Sequence, residues 1–336
     1  MSTQLSLDDS SILITGGTGS FGTFLVEHLL ASYRVRRLIV FSRDEMKQYE
    51  MAQRFGTDRY GCMRYFIGDV RDADRMTMAM RGVDYVVHAA ALKHVPTAEY
   101  NPFECIHTNV LGAENVVNAA LKNNVKRVIA LSTDKAANPV NLYGASKLAS
   151  DKIFIAANNI AGNDPTRFSI VRYGNVFGSR GSVVPAFRRL IAGGAESLPV
   201  TDTRMTRFCI TLEQGVRFVL SCLDEMRGGE IFVPKIPSMR ITDLAQAMAP
   251  QLPIRIVGIR PGEKLHEIMV TGDDARTTYK LADRYIIEPE LSFWSRPETP
   301  SGAANPVEDG FSYASNTNAE WLDAAQLAAM LEPGTA

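Results

Sequence analysis

Residues 131–147, LSTDKAANPVNLYGASK, contain two pairs of side chains that could move protons. Tyr143 and Lys147 are four positions apart, so on a helix they lie on the same face. An ammonium beside a phenol favours the tyrosinate and lowers its pKa, so that the tyrosine could take a proton from a hydroxyl as hydride leaves carbon. Thr133, at the end of the preceding predicted strand, could hydrogen-bond the same oxygen. This pair predicts the oxidation of an alcohol.

The second pair, Asp134 and Lys135, precedes Tyr143 in the same segment. Hydride transfer needs only one acid/base pair, so these two residues indicate a further proton-transfer step. The alternative is an exposed ion pair in a loop, which would contribute little to stability. If Lys135 acts as a base it must be neutral, which requires that burial or a neighbouring cation lower its pKa.

A glycine-rich loop predicts the hydride acceptor. In TGGTGSFG (15–22), between a predicted strand and a predicted helix, Gly16, Gly19 and Gly22 have the GxxGxxG spacing. Glycines there permit a tight turn and let backbone N–H groups approach a pyrophosphate at the helix N-terminus. A plain strand-to-helix turn is the alternative. We assign three further loop residues to the same dinucleotide site: Thr18, Ser20 and Phe21.

The end of the second predicted strand indicates which dinucleotide binds. An acidic residue there would hold the ribose 2′-hydroxyl of NAD. Ser42 and Arg43 occupy these positions, Lys47 follows one helical turn later, and Asp44 comes one residue late. Arg and Lys can pair with a 2′-phosphate, so we predict NADP in preference to NAD. The alternative is that Arg43 is a solvated surface charge.

The ends of the third and fourth predicted strands supply further cofactor contacts. Asp69 and Val70 could hydrogen-bond the adenine amino group. Small residues after the fourth strand would leave room for the cofactor; the alternative is that these small residues only pack in the core. Lys93 follows, where it could contact cofactor or substrate phosphate. The small residues are Ala89, Ala90 and Ala91.

Alternating strands and helices must position these residues. Six short β-branched runs alternate with helical stretches, at 11–17, 36–42, 63–69, 83–90, 125–133 and 168–175, and a helix is predicted over 145–160. Continuous apolar strands separated by helices predict a doubly wound parallel sheet, a Rossmann-type α/β fold. We assign 1–175 to an NADP-binding domain, with 207–235 packing back on it. The remainder of 176–336 is predicted to be a smaller, mainly substrate-binding lobe.

Composition excludes several classes of protein. The 336 residues include 36 basic and 37 acidic residues, a balance without an electrostatic footprint for nucleic acid or an anionic membrane. The four cysteines form no CxxC or Cys/His cluster, so we expect no metal site and reduced thiols. The N-terminus lacks signal-peptide features, and no apolar run reaches the about 18–20 residues that span a bilayer. We therefore expect a cytoplasmic protein.

The glycine loop followed by YxxxK resembles the extended short-chain dehydrogenase/reductase superfamily over nearly the whole chain. This resemblance implies a nucleotide-activated sugar as substrate and leaves epimerase, dehydratase, reductase and decarboxylase activities open. The segment STDKAANPVNLYGASK is similar to UDP-N-acetylglucosamine 4,6-dehydratases, and most similar to the soluble inverting enzymes of pseudaminic acid biosynthesis. Dehydratases that act on dTDP-glucose have Asp-Glu where this chain has Asp-Lys.

The resemblance implies a role for each residue. Tyr143 and Lys147 oxidise C4, Lys135 takes the C5 proton, and Asp134 protonates the departing C6 hydroxyl. Hydride then returns to C6, and C5 is protonated from the opposite face to give UDP-2-acetamido-2,6-dideoxy-β-L-arabino-hexos-4-ulose. The alternatives are a C5-retaining dehydratase, a 4-epimerase of a UDP-hexose, or a non-catalytic NADP-binding regulatory protein.

Further residues of the second half are assigned to the nucleotide sugar. Arginines suit a diphosphate because they donate through a fork, although a salt bridge between lobes is the alternative for each. The assigned residues are Lys93, Tyr173, Asn175, Val184, Thr201, Met205, Arg207, Arg260 and Glu263. The resemblance places Asn175 on the diphosphate sugar and Val184 in the uridine pocket. It also implies a homo-oligomer that pairs through helices at 102–123 and 145–160.

Overall fold

The structure is a computed structural model that describes residues 6–290 and 304–331. Its strands, in chain order, are β1 (Ser11–Thr15), β2 (Arg37–Ser42), β3 (Met63–Ile67), β4 (Tyr85–His88), β5 (Arg127–Thr133), β6 (Arg167–Tyr173), β7 (Asn175–Val176), β8 (Leu198–Val200), β9 (Thr206–Ile210), β10 (Ile231–Pro234), β11 (Ser238–Arg240), β12 (Ile254–Ile256), β13 (Ile268–Val270), β14 (Thr278–Lys280), β15 (Arg284–Ile287), β16 (Asn305–Pro306) and β17 (Tyr313–Ala314). Its α-helices are α1 (Ser20–Ser32), α2 (Glu45–Arg54), α3 (Ala73–Ala79), α4 (Val95–Tyr100), α5 (Pro102–Ile106), α6 (Gly112–Lys122), α7 (Leu142–Ala161), α8 (Val183–Ala192), α9 (Leu212–Glu225), α10 (Ile241–Met248) and α11 (Ala324–Leu331).

The largest sheet within the described residues has ten strands in the order β16-β14-β15-β10-β6-β5-β4-β1-β2-β3. Strands from β3 to β10 pair in parallel, and β15, β14 and β16 extend one edge with antiparallel pairing. Strand β1 is buried along its whole length, as expected for a parallel strand covered on both faces. The predicted doubly wound α/β fold is confirmed, with the six predicted strands as β1 to β6.

The strand order reverses beside β1, whose neighbours are β4 on one side and β2 on the other. In open α/β sheets, ligands bind in the crevice outside the carboxyl ends of the strands at such a reversal. The loops that follow β1, β2 and β4 therefore border a ready-made crevice. These are the loops in which the sequence analysis found the candidate cofactor residues.

Helix α7 carries the YxxxK motif. It begins at Leu142, earlier than the predicted start at 145, because Asn141 caps it: the Asn141 side chain accepts a hydrogen bond of 2.7 Å from the Gly144 N–H. Tyr143 thus lies in the first turn and Lys147 one turn later on the same face. The cap fixes where both side chains enter the crevice.

A second hydrophobic core lies beyond the main sheet. Phe187, Leu198, Leu244 and Leu327 are its buried members, contributed by α8, β8, α10 and α11. Within 207–235, β9 joins β7 and β11 in a separate three-stranded sheet, whereas α9 packs on α1 and β5, and β10 pairs with β6. Helix α9 and strand β10 are therefore parts of the large α/β layer. The division of the chain at residue 175 stays a prediction.

The predicted helix over 102–123 is not uniform. Helix α5 runs into a π-helical turn, His107–Leu111, and only then into α6. A π turn inserts an extra residue into the helical ladder and often accompanies functional sites. No helix in residues 6–290 and 304–331 has the length and apolar character needed to cross a membrane.

Candidate active site

A cavity of about 960 Å³ opens at the carboxyl ends of the parallel strands and extends towards the second core. Its wall includes Thr133, Lys135, Tyr143 and Lys147 from the predicted catalytic group, together with every residue assigned to the cofactor. The latter are Gly16, Thr18, Gly19, Ser20, Phe21, Gly22, Ser42, Arg43, Lys47, Asp69, Val70, Ala89, Ala90, Ala91 and Lys93. Across the described residues, no cluster of His, Cys, Asp or Glu could hold a metal ion.

The glycine loop has the geometry of a phosphate cradle. Gly16 has a positive φ of 65°, and a Cβ there would lie 2.8 Å from the Ala90 backbone nitrogen. A Cβ on Gly22 would lie 2.5 Å from the Cα of Gly17. Any larger residue at position 22 would therefore keep helix α1 from packing this closely on the glycine loop. Helix α1 starts after Gly19 with no acidic residue in its first turn, which leaves its N-terminal N–H groups suited to an anion. These features fit a dinucleotide pyrophosphate.

The far end of the cavity carries hydroxyl and cationic groups. Thr18 donates a hydrogen bond of 3.0 Å to Ser42 at the end of β2. The Asp44 carboxylate caps α2 and pairs with Lys47 at 2.7 Å, so it is engaged within its own helix. Arg43 is half-exposed and lies 3.6 Å from Asp69. This arrangement places two cations at the cavity wall, and each of them has a carboxylate partner within the protein.

The predicted hydride pair is buried at the centre of the cavity wall. Tyr143 is 8% exposed and Lys147 is 3% exposed. Burial raises the pKa of Tyr143 to about 12, against the opposing influence of the Lys135 charge and a hydrogen bond with Thr133. The expectation that this pKa falls is therefore wrong, because desolvation of the phenolate outweighs the nearby cation. The pKa of Lys147 is lowered by burial, which Asp151 partly offsets.

A buried ionic network is centred on Asp151. Asp151, one turn further along α7, accepts a hydrogen bond of 2.8 Å from Ser132 and lies 3.5 Å from Arg172. Arg172 in turn donates to the Met269 carbonyl at 3.0 Å and lies 3.6 Å from Asp274. The sequence analysis missed this network. Its available signal was the i, i+4 spacing of Lys147 and Asp151 on one helix.

The π turn positions the loop that follows β4. The Asn109 side chain accepts from the Leu92 N–H at 2.8 Å and donates to the Leu92 carbonyl at 2.9 Å. The same amide donates to the Ser146 hydroxyl at 2.9 Å, which ties this loop to α7. Asn109 was also missed, because its importance depends on the extra residue in the helical turn.

Asp134 is fully buried and Lys135 is partly buried, so they do not form an exposed loop pair. They lie in a 3₁₀ turn, Asp134–Ala136, that follows directly from β5. The carboxyl group of Asp134 is fully buried, and the Lys135 ammonium donates to it at 3.0 Å. Lys135 lines the cavity, whereas Asp134 lies behind it. The hydrogen bond from Thr133 to Asp134, 2.9 Å long, links this pair to the hydride pair.

Glu267 is the site residue that sequence reasoning overlooked. It is 1% exposed, lines the cavity and lies 3.1 Å from the Lys135 ammonium. Arg207 approaches the same carboxylate at 3.6 Å. The motif RPGEKLHE was assigned for Arg260 and Glu263, but its last residue is the one that reaches the acid/base pair.

The two carboxylates determine the charge of Lys135. Burial disfavours its ammonium form, but Asp134 and Glu267 outweigh burial and raise the pKa. Burial and the charge of Glu267 likewise raise the pKa of Asp134. The lowered pKa required of a neutral Lys135 is therefore not found. A base at this position must first pass its proton to a neighbour.

Most residues assigned to the sugar nucleotide line the remaining wall: Tyr173, Asn175, Thr201, Met205, Arg207, Arg260 and Glu263. Val184 does not, because its side chain is 1% exposed in the second core, and Val183 faces the cavity instead. Asn175 Oδ1 and Glu263 Oε2 are buried without a hydrogen-bond partner among the described residues, as is the cavity-lining Thr108 hydroxyl. Such atoms are available to a polar ligand.

The guanidinium donors of Arg207 bond to other groups of the protein. Its guanidinium donates to the carbonyls of Thr206, Lys264 and Leu265 at 2.7, 3.0 and 3.2 Å, besides approaching Glu267. These contacts lie within the second half of the chain, and they occupy the donors that Arg207 would need to bind a diphosphate. Arg260, in contrast, is exposed and lies 3.7 Å from Glu263, its one ion-pair partner within residues 6–290 and 304–331, so it is better suited to a diphosphate.

Comparison with known proteins gives consistent results. Residues 12–289 match the family model described as polysaccharide biosynthesis protein. An inverting UDP-N-acetylglucosamine 4,6-dehydratase from Campylobacter jejuni subsp. jejuni serotype O:2 is 60% identical over 94% of this chain and 96% of its own length. A UDP-glucose 4-epimerase from Rickettsia canadensis is 44% identical, with 83% of each chain covered.

Two solved structures extend the comparison. The X-ray structure of Pen from Bacillus thuringiensis is 36% identical, with a TM-score of 0.89 over 97% of this chain and 98% of that one. The dTDP-glucose 4,6-dehydratase DesIV from Streptomyces venezuelae, solved with NAD and TYD bound, is 26% identical, with a TM-score of 0.69 over 84% of this chain and 93% of that one. A dinucleotide cradle, a buried YxxxK pair and matches of this length leave one assignment: the chain belongs to the polysaccharide biosynthesis protein family, within the extended short-chain dehydrogenase/reductases.

Proposed function

We propose that this protein is an NADP-dependent, C5-inverting UDP-N-acetylglucosamine 4,6-dehydratase. One observation carries the proposal beyond the family: the Lys135 ammonium is held 3.0 Å from Asp134 and 3.1 Å from Glu267, in the wall that also contains Tyr143. A second acid/base group beside the hydride pair is what elimination of water requires. The 60% identity to an enzyme with this activity supports the same reaction.

The hydride pair acts first. Tyr143 takes the proton of the C4 hydroxyl, and Thr133, at the end of β5 in the same cavity wall, is placed to hydrogen-bond the same oxygen. The buried Lys147 supplies positive charge to the wall that contains the tyrosinate, and the charge of Asp151 favours the ammonium form of Lys147. A nicotinamide dinucleotide, held by the glycine loop and the residues at the ends of β2 to β4, would supply the hydride acceptor for C4 and the hydride donor for C6.

The second pair then removes water. The 4-keto group acidifies C5, and a neutral Lys135 is needed to take its proton. Transfer of one proton from Lys135 to Asp134, along their 3.0 Å hydrogen bond, creates the neutral base and the protonated acid together. As Lys135 takes the C5 proton, the C5–C6 double bond forms, the C6–O bond breaks, and the proton held by Asp134 passes to the departing hydroxyl. This last transfer requires the Asp134 carboxyl group to turn towards the cavity, because it lies behind Lys135. Reprotonation of C5 from the opposite face gives the L-configured 4-keto-6-deoxy sugar.

Turnover in D2O tests this proposal. With UDP-GlcNAc, we expect NMR to show a new C6 methyl group and deuterium at C5, with ring couplings of the L-arabino configuration. Couplings of the D configuration would indicate a C5-retaining dehydratase. An epimer without the methyl group would identify a 4-epimerase, the activity named for the Rickettsia relative. Absence of turnover with any UDP-hexose would favour a non-catalytic regulatory protein.

The preference for NADP rests on Arg43 and Lys47 at the end of the cavity. Replacing Arg43 with alanine should weaken NADP binding and leave NAD binding nearly unchanged, because only NADP has a 2′-phosphate. A charge-assisted hydrogen bond is worth about 1.5–3 kcal/mol, or roughly tenfold to a hundredfold in affinity. Titration calorimetry with both dinucleotides measures the difference. Arg36→Ala, which removes an exposed arginine paired with Asp84, is the control, and equal weakening of both cofactors would contradict the assignment.

We also propose a homo-oligomer that pairs through α5, α6 and α7. Two exposed apolar side chains on these helices support it, Phe103 at 76% and Ile160 at 69%. Exposed apolar side chains on these helices support contact with another protein surface.

A further inference from the structure

Lys135 has two carboxylate neighbours, but elimination of water uses only one acid. Asp134, 3.0 Å away, can receive the Lys135 proton and deliver it to the leaving hydroxyl. Glu267, 3.1 Å away, has no such task. A buried carboxylate is costly unless it is paired, so its place beside the base requires an explanation.

We propose that Glu267 is a positioning residue for elimination: it holds the Lys135 amine towards C5 and stabilises the ammonium that forms when Lys135 takes the C5 proton. This inference rests on the proposed dehydratase function. In many catalytic sites a third group orients the general base and stabilises its protonated form.

The protein holds Glu267 rigidly. Its backbone N–H donates to the Ser315 hydroxyl at 2.9 Å, and its carbonyl accepts from the Ser315 N–H at 2.8 Å. Arg207, fixed by three backbone carbonyls, flanks the carboxylate at 3.6 Å. The second oxygen, Oε2, is buried without a hydrogen-bond partner among the described residues. A carboxylate fixed in this way requires little rearrangement when the charge on Lys135 changes, which is the condition for effective electrostatic stabilisation.

Glu267 is expected to affect the rate of one step, the elimination of water. In the resting site Lys135 is an ammonium paired with Asp134 and Glu267, and it becomes neutral only when its proton moves to Asp134. As the C5 proton arrives, the amine becomes an ammonium again next to a fixed carboxylate, so Glu267 stabilises the transition state relative to that neutral intermediate. Oxidation at C4, which Tyr143 carries out, involves no change of charge on Lys135. Loss of Glu267 should therefore slow elimination and spare the first hydride transfer.

The negative charge of Glu267 also predicts the direction in which the pH profile of elimination moves when this residue is replaced. The titratable or charged groups around Lys135 and Glu267 are Lys93, Asp134, Tyr143, Arg207 and Lys264. The negative charge of Glu267 raises the pKa of both Asp134 and Lys135. Removing it should lower both, so the pH range in which the pair holds one shared proton, and in which elimination occurs, should move to lower pH.

Glu267→Gln in the full-length chain, saturated with NADP, tests the proposal. We expect elimination, followed as C6 methyl formation, to fall by more than tenfold but by less than the about 10²–10⁴-fold contribution of a general base itself. C4 oxidation, followed as transient absorbance at 340 nm, should persist, and the pH profile should move to lower pH. Glu225→Gln, which removes a carboxylate from the pair with Arg284 outside the site, is the matched control.

Two further measurements separate a positioning role from a structural one. Glu267→Asp keeps the charge and shortens the reach, so its rate should fall while its pH profile stays in place. Acetic anhydride labelling of Lys135, quantified by mass spectrometry against pH without cofactor, should show a lower pKa in Glu267→Gln than in the unsubstituted protein. An unchanged pH profile and labelling curve, or equal losses of C4 oxidation and elimination, would overturn the inference. Failure of the unsubstituted protein to dehydrate UDP-GlcNAc would instead reject the proposed function.

Discussion

Replacement of Lys135 by alanine is expected to abolish dehydration and leave NADP binding nearly intact. Lys135 supplies the amine that takes the C5 proton, and a general base contributes about 10²–10⁴-fold to rate. Its loss also leaves Asp134 and Glu267 as two carboxylates without their shared cation. The cofactor cradle of Gly16, Gly19 and Gly22 lies on another loop and should be unaffected. NMR for the C6 methyl and calorimetry with NADP measure the two properties.

A stalled reaction would be the most informative outcome of this substitution. If C4 oxidation survives, reduced cofactor should accumulate with substrate and absorb at 340 nm, because the 4-keto intermediate cannot lose water. Lys126→Ala provides the control, since that lysine pairs with Asp84 at 3.0 Å on the exposed side of the protein. Loss of NADP binding in the Lys135 variant would mean that the residue belongs to the cofactor site instead. Protein stability should be checked by thermal unfolding, because two buried carboxylates lose a partner.

Tyr143→Phe is expected to stop the reaction one step earlier. The substitution removes only the hydroxyl that takes the C4 proton, so neither absorbance at 340 nm nor C5 deuterium should appear with substrate. The expected loss is again about 10²–10⁴-fold. Because burial raises the Tyr143 pKa to about 12, little tyrosinate exists near neutrality, and the C4 oxidation rate of the unsubstituted protein should increase with pH. Stopped-flow absorbance over a pH series measures this slope.

The control for this experiment is another buried tyrosine. Tyr313 is 6% exposed, and its hydroxyl bonds to the backbone of Ile236 away from the cavity, so Tyr313→Phe should retain C4 oxidation. C4 oxidation by Tyr143→Phe at the normal rate would show that another group accepts the hydroxyl proton.

Sequence patterns predicted the parts of this site that depend on local spacing. The alternating strands, the glycine loop and YxxxK each lie within a short segment, so their geometry follows from one turn or one helix. The start of α7 was misplaced only because the capping role of Asn141 was not recognised.

The parts that could not be predicted depend on distant contacts. Glu267 reaches Lys135 through the pairing of β13 with β17, and Arg172 reaches Asp151 from a different strand. Arg207 could be recognised as an arginine suited to phosphate, but not as one whose donors are taken by backbone carbonyls. The pKa directions of Tyr143 and Lys135 likewise depend on burial and on neighbours from other segments.

The 3.0 Å contact between Lys135 and Asp134 has a consequence for successive turnovers. In the proposed cycle, the proton that Lys135 gives to Asp134 leaves with the water, and the C5 proton replaces it on the amine. Elimination thus regenerates the ion pair from which it began. The pair therefore needs no proton from bulk solvent before the next sugar nucleotide arrives.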